Sequence, residues 1–119
     1  MTLQSPIQNT LKKVGIIRCQ QTEDMCGGGT CLKTAAEGKL AFTELGPAQV
    51  IAFISCGGCP GKKIMPRALN LTKQGAEVIA LASCLQKGTP VDMPCPHFAA
   101  IKTALTPRLG AILLLDWTH

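Results

Sequence analysis

Aromatic side chains are scarce in this 119-residue chain, which has one Trp, three Phe and no Tyr. Without stacking platforms, a surface for single-stranded nucleic acid is not expected. The 12 Lys and Arg behind the formal charge of +5 are dispersed rather than gathered into a stripe. The core must therefore be aliphatic, and a Val, Ile, Leu and Ala core suits strands buried on both faces of a parallel sheet. Long apolar runs are missing too. None approaches the roughly 18 residues of a membrane span, and Met1 to Lys13 holds no stretch resembling a signal peptide. The expectation is a cytoplasmic protein with neither membrane nor nucleic acid as partner.

Several chemical signatures are also absent. Cys56 stands where a phosphate-binding loop has its first glycine, and Lys63 replaces its hydroxyl residue, so no nucleotide site is expected. A Cys-x5-Arg phosphatase loop fails, because Met25, Leu32 and Lys62 occupy the arginine position. The spacing Cys19-x6-Cys26-x4-Cys31 matches neither common ferredoxin run. No paired carboxylates and no Ser-His-Asp order stand out.

What the chain does have is seven cysteines. A domain of this length buries roughly two thirds of its unfolded surface and folds without disulfides. In a reducing compartment, an odd number of cysteines that includes a Cys-x-x-Cys points to metal binding or redox chemistry. Four stretches run from apolar residues into a potential ligand: 14–19 into Cys19, 50–56 into Cys56, 78–84 into Cys84, and 112–119 into His119. If these are parallel strands of one sheet, the ligand-bearing ends share the edge where open α/β folds bind ligands.

Residues 1–12 read as a polar tail and 13–119 as one domain. Strands are expected over about 13–18, 48–55, 77–83 and 111–116. Helices are expected over 30–37 (closed by Gly38), over part of 61–74 (closed by Gly75, with Pro66 tolerated only near its start), and from Cys95-Pro96-His97 onward, with 106–110 as a turn. Cys84 should begin a loop rich in Gly and Pro. The alternation predicts a three-layer, doubly wound α/β domain with a four-stranded, mainly parallel sheet in the order 2-1-3-4 and helices on both faces. The order is taken by analogy with doubly wound sheets.

Cys56 and Cys59 form the sharpest local motif: two intervening glycines let both sulfurs reach one metal or each other, and Lys62 and Lys63 favour thiolates. With Cys19 and Cys84 they make a four-thiolate set, and Cys95 and His97 offer alternative ligands from the next loop. Cys26 and Cys31 fit a redox pair, a second metal site or plain burial, and His119 reaches the same edge only if the last residues are ordered. Four thiolates around a divalent ion leave about two negative charges, which the basic balance would offset.

The segments 13–26, Ser-Cys-Gly-Gly-Cys-Pro-Gly-Lys at 55–62, Ala-Ser-Cys at 82–84, Pro-Cys-Pro-His at 94–97 and Asp-Trp-Thr-His at 116–119 resemble the CGGC-domain family. The likeness spans nearly the whole chain after the tail. It implies metal binding by Cys and His residues, with zinc suggested, and supplies no reaction; Pro66 departs from the pattern and bears only on local geometry. The expected function is metal binding, zinc first and an iron-sulfur cluster second. The alternative is a thiol-disulfide or sulfur-transfer enzyme in which Cys56 attacks and Cys59 resolves. A small anionic ligand or a redox partner is the further partner expected.

Overall fold

A computed structural model describes residues 11–20, 26–58, 61–88 and 95–119. Cys59 of the Cys-Gly-Gly-Cys motif, most of the tail, and the Gly/Pro-rich stretch before Cys95 lie outside them. The elements are β1 (Lys12–Arg18), α1 (Gly29–Glu37), a 3-10 turn (Leu40–Phe42), β2 (Ala48–Ser55), α2 (Ile64–Lys73), β3 (Val78–Leu81), α3 (Ser83–Gln86), α4 (Phe98–Leu109) and β4 (Leu113–Leu115). All strand pairs are parallel, as the alternation predicts, and the spatial order is β2-β1-β3-β4, the order expected by analogy with doubly wound sheets.

β1 lies between two neighbours, so its residues divide strictly by parity. Val14 and Ile16 join Val78, Ala80, Ala82 and Phe42 in a cluster covered by Cys31 and Ala35 of α1. Ile17 joins Ile79 and Leu81 in a second cluster, covered by Ile64, Ala68 and Leu71 of α2 and by Ile101, Leu105 and Leu109 of α4. Gly15 faces this second layer, where a Cβ would come within 2.8 Å of Leu71 Cδ1, so the absent side chain lets α2 lie close to the sheet.

The β1–β2 register slips once, between Val14 paired with Val50 and Gly15 paired with Ala52, which leaves Ile51 as an extra residue. Beyond this bulge Arg18 pairs with Ser55, and the Cys56 N–H donates to the Arg18 carbonyl at 2.7 Å. Cys19 and Cys56, each one residue further on, therefore leave the sheet level with one another. Without the extra residue they would be offset by one position and point to opposite faces.

Two elements depart from the sequence reading. β3 stops at Leu81 rather than at 83, and Cys84 sits in the one-turn helix α3 instead of opening a loop. The cause is remote: the Ser83 N–H and hydroxyl bind the chain's last two residues. α4 runs through Pro107 to Leu109, where a turn was expected. Burial of Ile101, Leu105 and Leu109 at four-residue steps holds that last turn on the core. Pro107 lies on the exposed face, where the carbonyl deprived of its usual donor meets water. Pro66 falls in the first turn of α2, where a missing N–H costs little.

Candidate thiol site at the sheet edge

Three strand ends deliver Cys19, Cys56 and the segment carrying Cys84 to one edge. β1 and β3 stay paired up to that edge, with Ile17 opposite Leu81 and the Ala82 N–H on the Ile17 carbonyl at 2.9 Å. α3 then folds the Cys84 side chain back, and its Sγ accepts the Cys19 main-chain N–H at 3.1 Å.

The remaining candidates divide between the two faces. Cys56 belongs to the α2/α4 cluster, which Cys95 packs against, while Cys31 and Cys84 belong to the α1 cluster; Cys19 touches both. The Cys95 N–H donates to the Leu85 carbonyl at 2.9 Å, which holds the start of α4 against α3. Cys95 Sγ in turn accepts the His97 N–H at 3.4 Å. His97 lines an open groove of about 280 Å³ with Gly61, Lys62, Met65 and Ile101, between the starts of α2 and α4. His119 is anchored through its main chain, whose oxygen accepts from Ser83 Oγ at 2.8 Å and Lys87 Nζ at 3.0 Å. Burial, aided by the nearby Lys87 ammonium, pushes the His119 imidazole down from its ordinary range.

Gly57 and Gly58 have φ of 85° and 100°, so the chain turns sharply just after Cys56. A Cβ on Gly57 would stand 2.8 Å from Lys63 Cβ, which keeps this turn glycine-only on space as well as on dihedral angle. Arg67 fastens the strand end from beneath, its Nη1 donating to the Ser55 carbonyl at 3.0 Å and to Ser55 Oγ at 3.2 Å.

Four contributors carry no metal-ligand signature in the sequence: Arg18, Arg67, Ser83 and Thr118. Arg18 is only 8% exposed, donates to the main-chain oxygen of Cys26, and lies 5.6 Å from the centre of the Phe53 ring. A charged residue closing an otherwise apolar strand was the signal available for it. Thr118 and Ser83 are fully buried, and Thr118 Oγ1 lies 3.2 Å from Cys31 Sγ. Burial pushes the Cys31 thiol up, the Thr118 bond opposes this, the neighbouring Cys84 and Cys26 push it further up, and Arg18 pulls it down. Cys26, Cys31, Cys84 and Arg18 thus form one electrostatic neighbourhood.

Among the described residues, no group of three or more Cys, His, Asp or Glu is already gathered around a metal-sized point. The donor set nevertheless fits a thiophilic ion in its chemistry. Cysteine-bearing segments share one edge, Cys84 Sγ and Cys95 Sγ each accept a main-chain N–H, and the buried Arg18 guanidinium stands near Cys31 to balance thiolate charge.

The family model of the CGGC domain matches residues 13–119. An uncharacterized protein of Methanocaldococcus jannaschii is 37% identical over 91 residues, which cover 71% of this chain and 68% of that protein. No solved structure matches the chain. Among the described residues, no helix is long and apolar enough to cross a membrane.

Proposed function

The chain belongs to the CGGC domain family, whose character suggests metal binding, and from that premise we propose that it holds zinc through cysteine thiolates at the C-terminal edge of its sheet. The core ligands are Cys19, Cys56, Cys59 and Cys84, with Cys95 and His97 as the adjacent donors and Cys26, Cys31 and His119 at the periphery. Thiolates select zinc or iron over hard cations. An iron-sulfur cluster is the second choice because the cysteine spacing supplies no cluster motif. A reducing, cytoplasmic setting keeps these thiols available.

One observation carries the reading: the bulge at Ile51 brings Cys19 level with Cys56, while the Cys19 N–H holds the Cys84 sulfur at the same edge. Each neighbouring residue then has a task. The Cys19 N–H holds the Cys84 sulfur in place. Arg18 offsets the negative charge that several thiolates around one divalent ion create. Gly57 and Gly58 bend the chain just after Cys56, and Arg67 fixes the strand end from which that bend departs. When bound, zinc supplies a tie between chain segments and, if one position stays open, a Lewis acid.

The test is purification without oxygen, followed by metal analysis by mass spectrometry and a visible spectrum. Stoichiometric zinc in a colourless protein is expected, and Cys56→Ser should lose it. A brown protein carrying iron and sulfide replaces zinc by a cluster. A protein that takes up neither metal, yet cycles its Cys56/Cys59 pair with a reductant, overturns the reading.

A further inference from the structure

We propose that Cys19 and Cys84 are a reversible dithiol-disulfide pair, separate from the Cys-Gly-Gly-Cys motif, which a small disulfide oxidant closes across the end of β1 and α3. The geometry starts from the 3.1 Å hydrogen bond between the Cys19 N–H and Cys84 Sγ. That contact places one sulfur against the main chain of the residue carrying the other. β1 and β3 remain paired through Ile17–Leu81 and through the Ala82 N–H on Ile17. The two segments therefore leave the sheet from adjacent strands, spaced about 4.8 Å apart where they are paired, and α3 turns Cys84 back toward the end of β1. Closure requires the Cys19 side chain to turn toward the Cys84 sulfur already held at its own main chain.

Accessibility gives the two thiols different parts. Cys19 is half-buried and meets solvent, whereas Cys84 is 7% exposed. A low-molecular-weight disulfide RSSR such as oxidised glutathione therefore meets Cys19 first. The Cys19 thiolate attacks one sulfur, the oxidant's S–S bond breaks, a Cys19–S–S–R bond forms, and RS⁻ leaves. The Cys84 thiolate, held beside the Cys19 main chain, then attacks Cys19 Sγ and displaces the second RS⁻. The two protein thiols give up two protons and two electrons, and RSSR becomes two RSH. Cys31, the competing partner in the same cluster, has its sulfur engaged with Thr118 Oγ1. Closure removes two sulfurs from the edge, so oxidation would expel a bound metal; that consequence rests on the proposed metal site, whereas the pairing does not.

The experiment uses reduced, metal-free protein exposed to oxidised glutathione, alkylated, digested with trypsin without reductant, and mapped by mass spectrometry. The expected product lacks two alkylatable thiols and joins peptide 19–33 to peptide 74–87, with fragment ions placing the bond at Cys19 rather than Cys26 or Cys31. Cys84→Ala, checked for folding by circular dichroism, should accumulate the glutathione adduct on Cys19. A bond from Cys84 to Cys26 or Cys31 overturns the pair, as does wild-type protein in which Cys19 and Cys84 stay alkylatable while Cys56 and Cys59 oxidise. A zinc titration of the same reduced protein separates the two readings. Cross-link without zinc binding supports the pair and removes the metal site, and zinc binding without the cross-link does the reverse.

Discussion

Thr118 Oγ1 lies 3.3 Å from Ser83 Oγ, and both residues are fully buried. The two hydroxyls exchange main-chain donors across the fold: the Ser83 N–H donates to Thr118 Oγ1 at 3.1 Å and the Thr118 N–H to Ser83 Oγ at 3.1 Å. Ser83 Oγ also accepts the His119 N–H at 2.9 Å. Through this clasp, the residues after β4 are fixed to the segment that carries Cys84, and through Cys31 Sγ to α1. Buried donors left without such partners would be costly, which explains why β3 gives up its ladder at this point.

Thr118→Val keeps the shape of the side chain and deletes its oxygen, so the buried Ser83 N–H loses its acceptor. The expected cost is about 1–3 kcal/mol, read as a lower urea midpoint at unchanged denaturant slope in metal-free protein. Zinc affinity should fall as well, since Cys84 is positioned by the same turn. An unchanged midpoint would remove the clasp from the account.

This clasp also marks how far the sequence could be read. β1 and β2 were legible because apolar runs ending in Cys19 and Cys56 are strands on any reading of period and punctuation. The end of β3 and helix α3 were not, because residues 77–83 continue the apolar pattern and what stops them comes from Thr118, 35 positions away. The same holds for the far end of α4, where Pro107 suggests a stop but Leu109 is buried. At the edge, the cysteines announced themselves, and their common level did not. That level depends on one extra residue at Ile51, which no local signal reveals. Arg67 was unreadable for the same reason: its partner is Ser55, on another element.

Gly28 caps the start of α1 at φ 82°, and a Cβ there would lie 2.3 Å from Phe53 Cζ. Gly28→Ala should cost about 2–4 kcal/mol, from the left-handed backbone together with the ring clash. Phe53→Leu in the same chain should restore the part due to the clash, so the two changes will be non-additive in a double-mutant cycle by chemical denaturation. Strict additivity would show that the ring does not press on α1.

Arg18→Met tests the charge balance of the thiol edge. The buried guanidinium lies near Cys31 and beside Phe53, in a setting where the attraction between opposite charges is weakly screened. Zinc affinity, measured by competition with a chromophoric chelator, should fall by on the order of tenfold to a hundredfold, at 1.4 kcal/mol per tenfold. Arg18→Lys, which keeps the charge and loses the planar fork, should fall less. Equal affinity in all three proteins would mean that Arg18 acts on the fold alone.

The His119 imidazole is pushed below its ordinary value by burial and by the Lys87 ammonium. In the unfolded chain it protonates near pH 6.5, whereas in the folded chain protonation waits for a lower pH. Above that unfolded value both forms are neutral and the folded state has its full stability. As pH falls from about 6.5 toward the depressed folded value, only the unfolded chain gains the proton, so stability declines across that window. Thermal unfolding of metal-free protein should therefore show a midpoint that drops between pH 7 and 5. His119→Gln should flatten the drop, because no imidazole remains to be protonated. Lys87→Gln should shrink it, since removing the ammonium brings the folded and unfolded values closer together. A drop of the same size in all three proteins would assign the pH dependence to other groups.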